Sequence, residues 1–141
     1  MSNRSSILII FTGGTIGMIK KVDSYVPINF NELIKYFPEL DNLNYYLEII
    51  GFNPPIDSAE MSPTIWIKIV EIIEKNYTKF DGFVVLHGTD TMAYTASAIS
   101  FMLQNLNKPV VFTGSQLPIG VHRTDAKENL ITSIEIAGSR S

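Results

Sequence analysis

The sequence at positions 83–94 reads FVVLHGTDTMAY, an apolar run that passes directly into a cluster of hydroxyl and carboxyl side chains. A second such junction lies upstream, where positions 7–17 read ILIIFTGGTIG. Short apolar runs that end in turns are typical of buried strands in a parallel sheet. Because ligands bind beyond the carboxyl ends of such strands, we expect both clusters to face one crevice. Two hydroxyl-rich turns suggest a threonine nucleophile beside a second polar group that activates it.

Apolar runs alternate along the chain with segments of helical periodicity, which is the pattern of a βαβ fold. Strands are predicted near 7–11, 46–50, 82–86 and 109–113. Helices are predicted over 31–37 from a cap at Asn31, after the cap and proline at 62–63, over 91–105, and after a capping box of Asp125 and Glu128. The expected fold class is α/β, an open, mostly parallel sheet with helices on both faces.

The composition is that of one ordinary globular domain. The 141 residues suffice to bury a core, and 45% of them are apolar while 18% are charged. A net charge of −3 offers no basic surface for nucleic acid, and two histidines without any cysteine do not favour a metal site. No apolar stretch is long enough for a signal peptide or a bilayer span. We therefore expect a cytoplasmic protein without cofactor, metal, nucleic-acid partner or membrane partner.

The glycine turn at 12–17 matches neither of the two common phosphate-binding fingerprints. No Gly-Lys-Ser/Thr follows it, and Thr12 occupies the place of the first glycine of G-x-G-x-x-G. The turn is either a structural device, or it lets the backbone approach a ligand while Thr15 presents its hydroxyl. A nucleotide-binding domain is accordingly the weakest functional hypothesis.

The cluster at 88–91 also has two interpretations. It is either a helix N-cap with an acidic first turn, or a site where Asp90 holds an ammonium and the helix amides bind an oxyanion. His87 is interpreted as a hydrogen-bonded core histidine rather than a base. Loops after the second and fourth strands, at 54–61 and 113–118, should bring Ser58 and further polar groups to the same crevice.

Five motifs carry a resemblance to a known family. In chain order they are TGGTI at 12–16, YVP at 25–27, DSAEM at 57–61, HGTDTM at 87–92 and GSQLP at 114–118. Together they resemble the amino-terminal domain of the L-asparaginase family, in its cytoplasmic type I form, over about residues 7–137. The resemblance implies hydrolysis of L-asparagine, or of L-glutamine, with release of ammonia and without a cofactor.

The resemblance also implies a role for each site residue. Thr15 would be the nucleophile that forms an ester with the substrate acyl group, and Tyr25 would lie on a lid that polarises it. Thr89 would activate the attacking group, and Asp90 would pair with the α-ammonium. The substrate-binding set would be Asp57, Ser58, Ala59, Thr89, Asp90 and Ser115, with Ser58 on the α-carboxylate.

Two departures from the family pattern lead to further expectations. The family couples its second threonine and its aspartate to a lysine beyond the last helix, whereas Lys127 lies inside that helix. The family's carboxyl-terminal domain, which completes a neighbouring subunit's site in homo-oligomers, does not follow Gly138. We therefore expect residues 1–141 to be a truncated amino-terminal catalytic domain with little or no activity.

Two other functions are compatible with the sequence. The chain could be a non-catalytic amino-acid-binding or interaction module that retains the crevice. It could also be the asparaginase-like subunit of the archaeal transamidosome, but that subunit carries an extra domain ahead of these motifs. A first strand that begins at Ile7 argues against the second alternative.

Overall fold

The computed structural model describes residues 4–27, 32 and 35–139, and of Tyr25 and Pro27 the backbone alone. The strands within these residues are β1 (Ser6–Phe11), β2 (Met18–Lys21), β3 (Ser24–Pro27), β4 (Tyr46–Gly51), β5 (Gly82–Leu86) and β6 (Val110–Thr113). The α-helices that lie wholly within the same residues are α1 (Pro63–Asn76), α2 (Met92–Met102) and α3 (Ala126–Gly138). None of the helices in the described part of the chain is both long and apolar enough to cross a membrane.

Four of the strands form one parallel sheet in the order β4–β1–β5–β6. The two central strands are continuous apolar runs, and every residue of β5 and of 7–11 in β1 is buried. A strand that is covered on both faces needs apolar side chains at every position rather than at alternate ones. At the edge, β4 instead alternates, with Tyr46 and Glu48 exposed.

Helices cover both faces of this sheet, so the predicted fold class is confirmed. Alternate residues of β1 point to opposite faces, and the two hydrophobic clusters divide accordingly. Ile9 packs in the cluster that holds Leu130 and Ile134 of α3. Ile10 packs in the cluster that holds residues of α1 and α2 such as Ile69, Ile73 and Ile99.

The predicted helix at 91–105 ends three residues early, at Met102. The chain after it is drawn back beneath the end of α1. There the backbone N–H of Asn107 donates to the hydroxyl of Tyr77, and the Lys108 ammonium donates to the carbonyl oxygens of Tyr77 and Phe80. These contacts require a sharp exit from the helix, so tertiary contacts override its helical periodicity.

The predicted capping box at the start of α3 is wrong. The carboxylate of Asp125 makes no bond to the helix backbone and accepts hydrogen bonds from the backbone N–H groups of Gln116 and Leu117, at 2.9 and 3.0 Å. The helix amide of Ala126 is instead bonded by the Thr124 hydroxyl at 3.1 Å. Asp125 serves a neighbouring loop whose N–H groups would otherwise be unsatisfied.

The segment after the glycine turn is an antiparallel hairpin of β2 and β3, two strands that are absent from the strands predicted from the sequence. Lys20 lies opposite Tyr25 in its register. Val22 forms the tip with a φ of 48°, a conformation that a β-branched residue rarely adopts. The usual Asn-Gly signal of a two-residue turn is missing from the sequence, so the hairpin could not be recognised. The helix predicted from Asn31 lies largely outside the described residues.

Candidate active site

The loops that follow the four sheet strands meet at the carboxyl edge of the sheet. The strand order changes direction between β1 and β5, which is where open α/β sheets bind ligands. The turn after β1 is tied to the neighbouring loops through Thr12, whose N–H and hydroxyl both donate to the Leu86 carbonyl at 3.0 and 2.8 Å. The Thr12 carbonyl in turn accepts the N–H of Ile56 at 2.7 Å.

Glycines allow these loops to touch backbone to backbone. A Cβ on Gly13 would lie 2.2 Å from the Ile56 carbonyl oxygen, and one on Gly14 would lie 2.5 Å from the Gly88 Cα. A Cβ on Gly88 would lie 2.5 Å from the Ser58 hydroxyl oxygen. Gly13 and Gly14 also have φ values of 139° and 89°, which L side chains rarely adopt. The glycine turn is therefore structurally required, and it also presents Thr15 to the space between the loops.

A cavity of about 400 Å³ opens between these loops. Its lining among the described residues combines the glycine backbone, hydroxyl groups and carboxylates with a few apolar side chains. These residues are Phe11, Gly13, Gly14, Thr15, Met18, Pro55, Ile56, Asp57, Ser58, Glu60, Gly88, Thr89 and Asp90.

Hydrogen bonding separates the threonines of this region into two kinds. The hydroxyl of Thr12 is bonded to the Leu86 carbonyl, and the hydroxyl of Thr91 donates to the Ser58 carbonyl at 2.7 Å. Thr15 and Thr89 both line the cavity and are half-buried, and their hydroxyls make no hydrogen bond to the described part of the protein. Of these four threonines, Thr15 and Thr89 are the two whose hydroxyls are thus available to a ligand.

The start of α2 makes no side-chain cap. Thr91 is the N-cap residue, but its hydroxyl is bonded to the loop after β4, and Asp90 does not cap the helix. The backbone N–H groups of Thr89 and Asp90 have no acceptor within the described residues. Asp90 is exposed at the mouth of the cavity. The cap interpretation of this cluster is therefore wrong, and the side chains of Thr89 and Asp90 together with their backbone N–H groups are available to bind a ligand.

The charge of the lining is negative. Asp57, Glu60 and Asp90 bring three carboxylates, and the described lining contains no lysine, arginine or histidine. Asp57 accepts the Ala59 N–H at 3.0 Å and so shapes the short 3-10 turn Ser58–Glu60. Such a lining suits a ligand that carries an ammonium group. The sequence interpretation missed Glu60, although its place inside the DSAEM motif could have indicated it.

His87 is fully buried behind the site. Its Nδ1 lies 2.7 Å from the Gly88 carbonyl oxygen, and its Nε2 lies 2.9 Å from the Thr95 hydroxyl oxygen. Burial lowers the pKa of the imidazole, which the bond to the Gly88 carbonyl opposes only in part. The prediction of a hydrogen-bonded core histidine is confirmed.

Some predicted site residues do not reach the cavity. Ala59 and Ser115 are not part of the lining among the described residues; Ser115 is 2% exposed, and its hydroxyl donates to the Leu117 carbonyl. Of Tyr25 only the backbone position on β3 is described. Lys127 forms an ion pair with Glu39 at 2.9 Å, which lowers the pKa of that carboxyl. No cluster of metal-ligating side chains occurs in the described ranges.

Comparison with known proteins identifies the class to which this fold and cavity belong. Residues 6–141 match the family described as "Asparaginase, N-terminal", so the chain belongs to the asparaginase family.

Individual relatives agree with this assignment. L-asparaginase 1 of Escherichia coli K12 is 43% identical over 139 residues, which cover 96% of this chain and 41% of that protein. The crystal structure of L-asparaginase I from Vibrio cholerae superimposes with a TM-score of 0.87 at 45% identity, again over 96% and 41% of the two chains. A glutamyl-tRNA(Gln) amidotransferase subunit of Pyrococcus abyssi is 42% identical over 94% of this chain and 31% of that protein. The chain thus spans less than half the length of these relatives.

Proposed function

We propose that the protein is an L-asparaginase-type amidohydrolase, which converts L-asparagine and water to L-aspartate and ammonia. The observation that carries this proposal is the pair of unbonded hydroxyls, Thr15 and Thr89, in one cavity with carboxylates. Acyl transfer requires a nucleophile, and a zwitterionic substrate requires a fixed anion beside hydroxyl or amide donors. The cavity offers all of these groups within about 400 Å³.

The proposed reaction runs through a threonine ester. The Thr15 Oγ attacks the carbon of the substrate's side-chain amide, and the hydroxyl proton passes to the leaving nitrogen, which departs as ammonia. A water molecule positioned near Thr89 then attacks the ester, releases L-aspartate and returns a proton to the Thr15 Oγ. Backbone N–H groups at the loops supply donors for the negative oxygen of each tetrahedral intermediate. Tyr25, on the hairpin, is proposed to polarise the nucleophile.

Substrate recognition follows from the charges of the lining. Asp90 is proposed to bind the α-ammonium, and the hydroxyl of Ser58, a residue that is 4% exposed, to bind the α-carboxylate. Asp57 contributes by holding the turn that carries Ser58. Ala59 and Ser115 are not in the lining among the described residues, so any part they have in binding is proposed to be through the shape of their loops. L-Glutamine, longer by one methylene, is the second substrate to test.

As in the cytoplasmic type I form that the motifs resemble, the protein is proposed to act in the cytoplasm and as a homo-oligomer. The ammonia-channelling role of a transamidosome subunit receives no support from a feature of this cavity.

A non-catalytic amino-acid-binding module is the second candidate function. The observation that favours it is the position of Lys127, which pairs with Glu39 on another part of the surface and does not reach the cavity. Without a cationic activator in the described lining, the crevice would bind a zwitterion and leave its amide intact.

One experiment separates the two candidates. Ammonia release from L-asparagine and L-glutamine is measured for the purified chain and for Thr15→Ala, together with L-asparagine binding by calorimetry. Release that disappears in Thr15→Ala supports the amidohydrolase. Binding without release, unchanged in Thr15→Ala, supports the binding module. Neither binding nor release would refute both.

A further inference from the structure

A chain of hydrogen bonds, centred on two fully buried side chains, connects both helices of one sheet face to the loop that carries Thr89. The indole Nε1–H of Trp66 on α1 donates to the Thr95 hydroxyl oxygen of α2 at 3.0 Å. The Thr95 oxygen lies 2.9 Å from His87 Nε2, and His87 Nδ1 lies 2.7 Å from the Gly88 carbonyl oxygen. His87 and Thr95 are both fully buried, so water does not replace these partners.

The chemistry of the groups fixes the direction of every bond. A carbonyl oxygen only accepts, so His87 Nδ1 carries a proton and donates to Gly88. A neutral imidazole then has a lone pair on Nε2, which accepts from the Thr95 hydroxyl. The Thr95 oxygen is left to accept, and the indole N–H can only donate to it. All four groups are satisfied with one tautomer of His87.

The last bond of this chain acts on a peptide of the active site. The Gly88 carbonyl belongs to the planar peptide group that joins Gly88 to Thr89, so holding its oxygen also orients the Thr89 N–H, which points the opposite way. Gly88 itself is confined between the Cα of Gly14 and the side chain of Ser58. The peptide plane is thus held from behind by the imidazole and from the front by the neighbouring loops.

We propose that His87 is a positioning residue for the site, and that Thr95 and Trp66 hold its imidazole in the Nδ1–H tautomer. Its function is to set the plane of the Gly88–Thr89 peptide and thereby the direction of the Thr89 and Asp90 groups. This inference rests on the proposed function in one respect, namely that these groups bind the substrate. It differs from a merely structural role, in which His87 would only fill space and satisfy buried polar atoms.

The first test needs no ligand. Long-range ¹H–¹⁵N NMR spectra of the ¹⁵N-labelled chain report which imidazole nitrogen of His87 carries the proton. The indole peak of Trp66 is unambiguous because the chain has a single tryptophan. We expect the proton on Nδ1, and a shift of the indole peak in Thr95→Val, which removes the hydroxyl while nearly preserving the shape. A proton on Nε2 would overturn the inference.

Two substitutions of His87 separate its two bonds. His87→Asn places an amide N–H near the position of Nδ1 and keeps the bond to Gly88, whereas His87→Gln places its amide near Nε2 and keeps only the bond to Thr95. We expect His87→Gln to weaken L-asparagine binding three- to tenfold, since one hydrogen bond of positioning is lost. His87→Asn should stay within about twofold of the wild type, because the Gly88 bond is retained.

Controls keep the test decisive. Ile99 lies one turn after Thr95 on α2, in the hydrophobic cluster against which Trp66 packs. Ile99→Val therefore lowers stability without removing a member of the hydrogen-bond chain. Equal weakening in His87→Asn and His87→Gln, or in Ile99→Val, would refute positioning. If the wild type binds no L-asparagine, the proposed function fails and the inference is judged on the amide peaks of Thr89 and Asp90. The inference then requires that these amide peaks shift in His87→Gln, or in Thr95→Val if only that variant folds. It also requires that their positions stay unchanged in Ile99→Val. Any other result refutes the inference.

Discussion

Gly14→Ala should separate the two loops that carry the hydroxyl pair. The new methyl group would lie 2.5 Å from the Gly88 Cα, about 0.9 Å short of the 3.4 Å at which ordinary contact begins. The obstacle is backbone, so it cannot rotate away, and the φ of 89° adds strain of about 1–3 kcal/mol. Strain and displacement together should cost at least about 2–3 kcal/mol, or roughly 6–9 °C in Tm for a domain of this size.

The functional effect of Gly14→Ala should exceed the stability effect. A displacement of about 1 Å between reacting groups commonly costs on the order of 100-fold in rate. Melting curves and either L-asparagine affinity or ammonia release are measured well below the Tm, so that the variant is folded. Gly120→Ala is the matched control, since its methyl group would meet nothing closer than 3.9 Å. Wild-type stability and binding in Gly14→Ala would refute the close contact of the two loops.

Three further predictions concern single side chains. Thr12→Val removes a buried hydrogen bond to the Leu86 carbonyl and should lower the Tm by about 3 °C. Thr15→Ala should instead leave the Tm within about 2 °C of the wild type and abolish ammonia release or ester formation. If Thr12→Val abolished ammonia release and Thr15→Ala lowered the Tm, the catalytic and structural roles of these two threonines would be the reverse of those proposed. Asp90→Asn should weaken L-asparagine binding at least tenfold in calorimetry. It should change the Tm little, because an exposed charge near a helix start contributes only about 0.3–1 kcal/mol to stability. A lower Tm with unchanged affinity for L-asparagine would contradict this prediction. Burial lowers the pKa of His87 below 6.5, so between pH 6.5 and that lowered pKa the unfolded state takes up the imidazole proton more readily than the folded state. Above pH 6.5 His87 should therefore add no pH dependence to the free energy of unfolding, measured by urea titration. As the pH falls below 6.5, this free energy should decrease by up to about 1.4 kcal/mol per pH unit, and His87→Asn should remove that decrease. The same decrease in both proteins would contradict the assignment.

The fold was largely predictable because its central strands are buried on both faces. Continuous apolar runs such as 7–11 and 82–86 leave few alternatives to a parallel sheet, and the predicted strand limits agree with the structure to within about a residue. The hairpin of β2 and β3 was not predictable in the same way, since Val22 occupies a conformation that its residue type disfavours. The Asp125 cap failed because a distant loop competed for the same carboxylate.

The location of the site was predictable from the sequence, but the hydrogen bonds of its side chains were not. Motif position identified Thr15 and Thr89 as candidates, and both line the cavity. Local sequence does not distinguish them physically from Thr12 and Thr91, because the difference lies in which hydroxyl meets a carbonyl of another loop. Ser115 illustrates the same limit, since its hydroxyl donates to the Leu117 carbonyl inside its own loop and Ser115 is not in the cavity lining among the described residues.

The strand order has a consequence for how the chain folds during synthesis. β1 is made first, yet its partners lie about 40 and 75 residues further on, with Ser6 opposite Tyr46 and Phe11 opposite Leu86. At about 5–20 residues per second, a ribosome needs roughly 4 to 15 s to deliver β5 after β1. Throughout that interval β1, one of the most apolar segments of the protein, has no strand to pair with along the edge that β5 later covers. Long-range parallel pairing is also intrinsically slow. The nascent chain therefore exposes one edge of β1 until residue 86 has been added and β5 can pair with it.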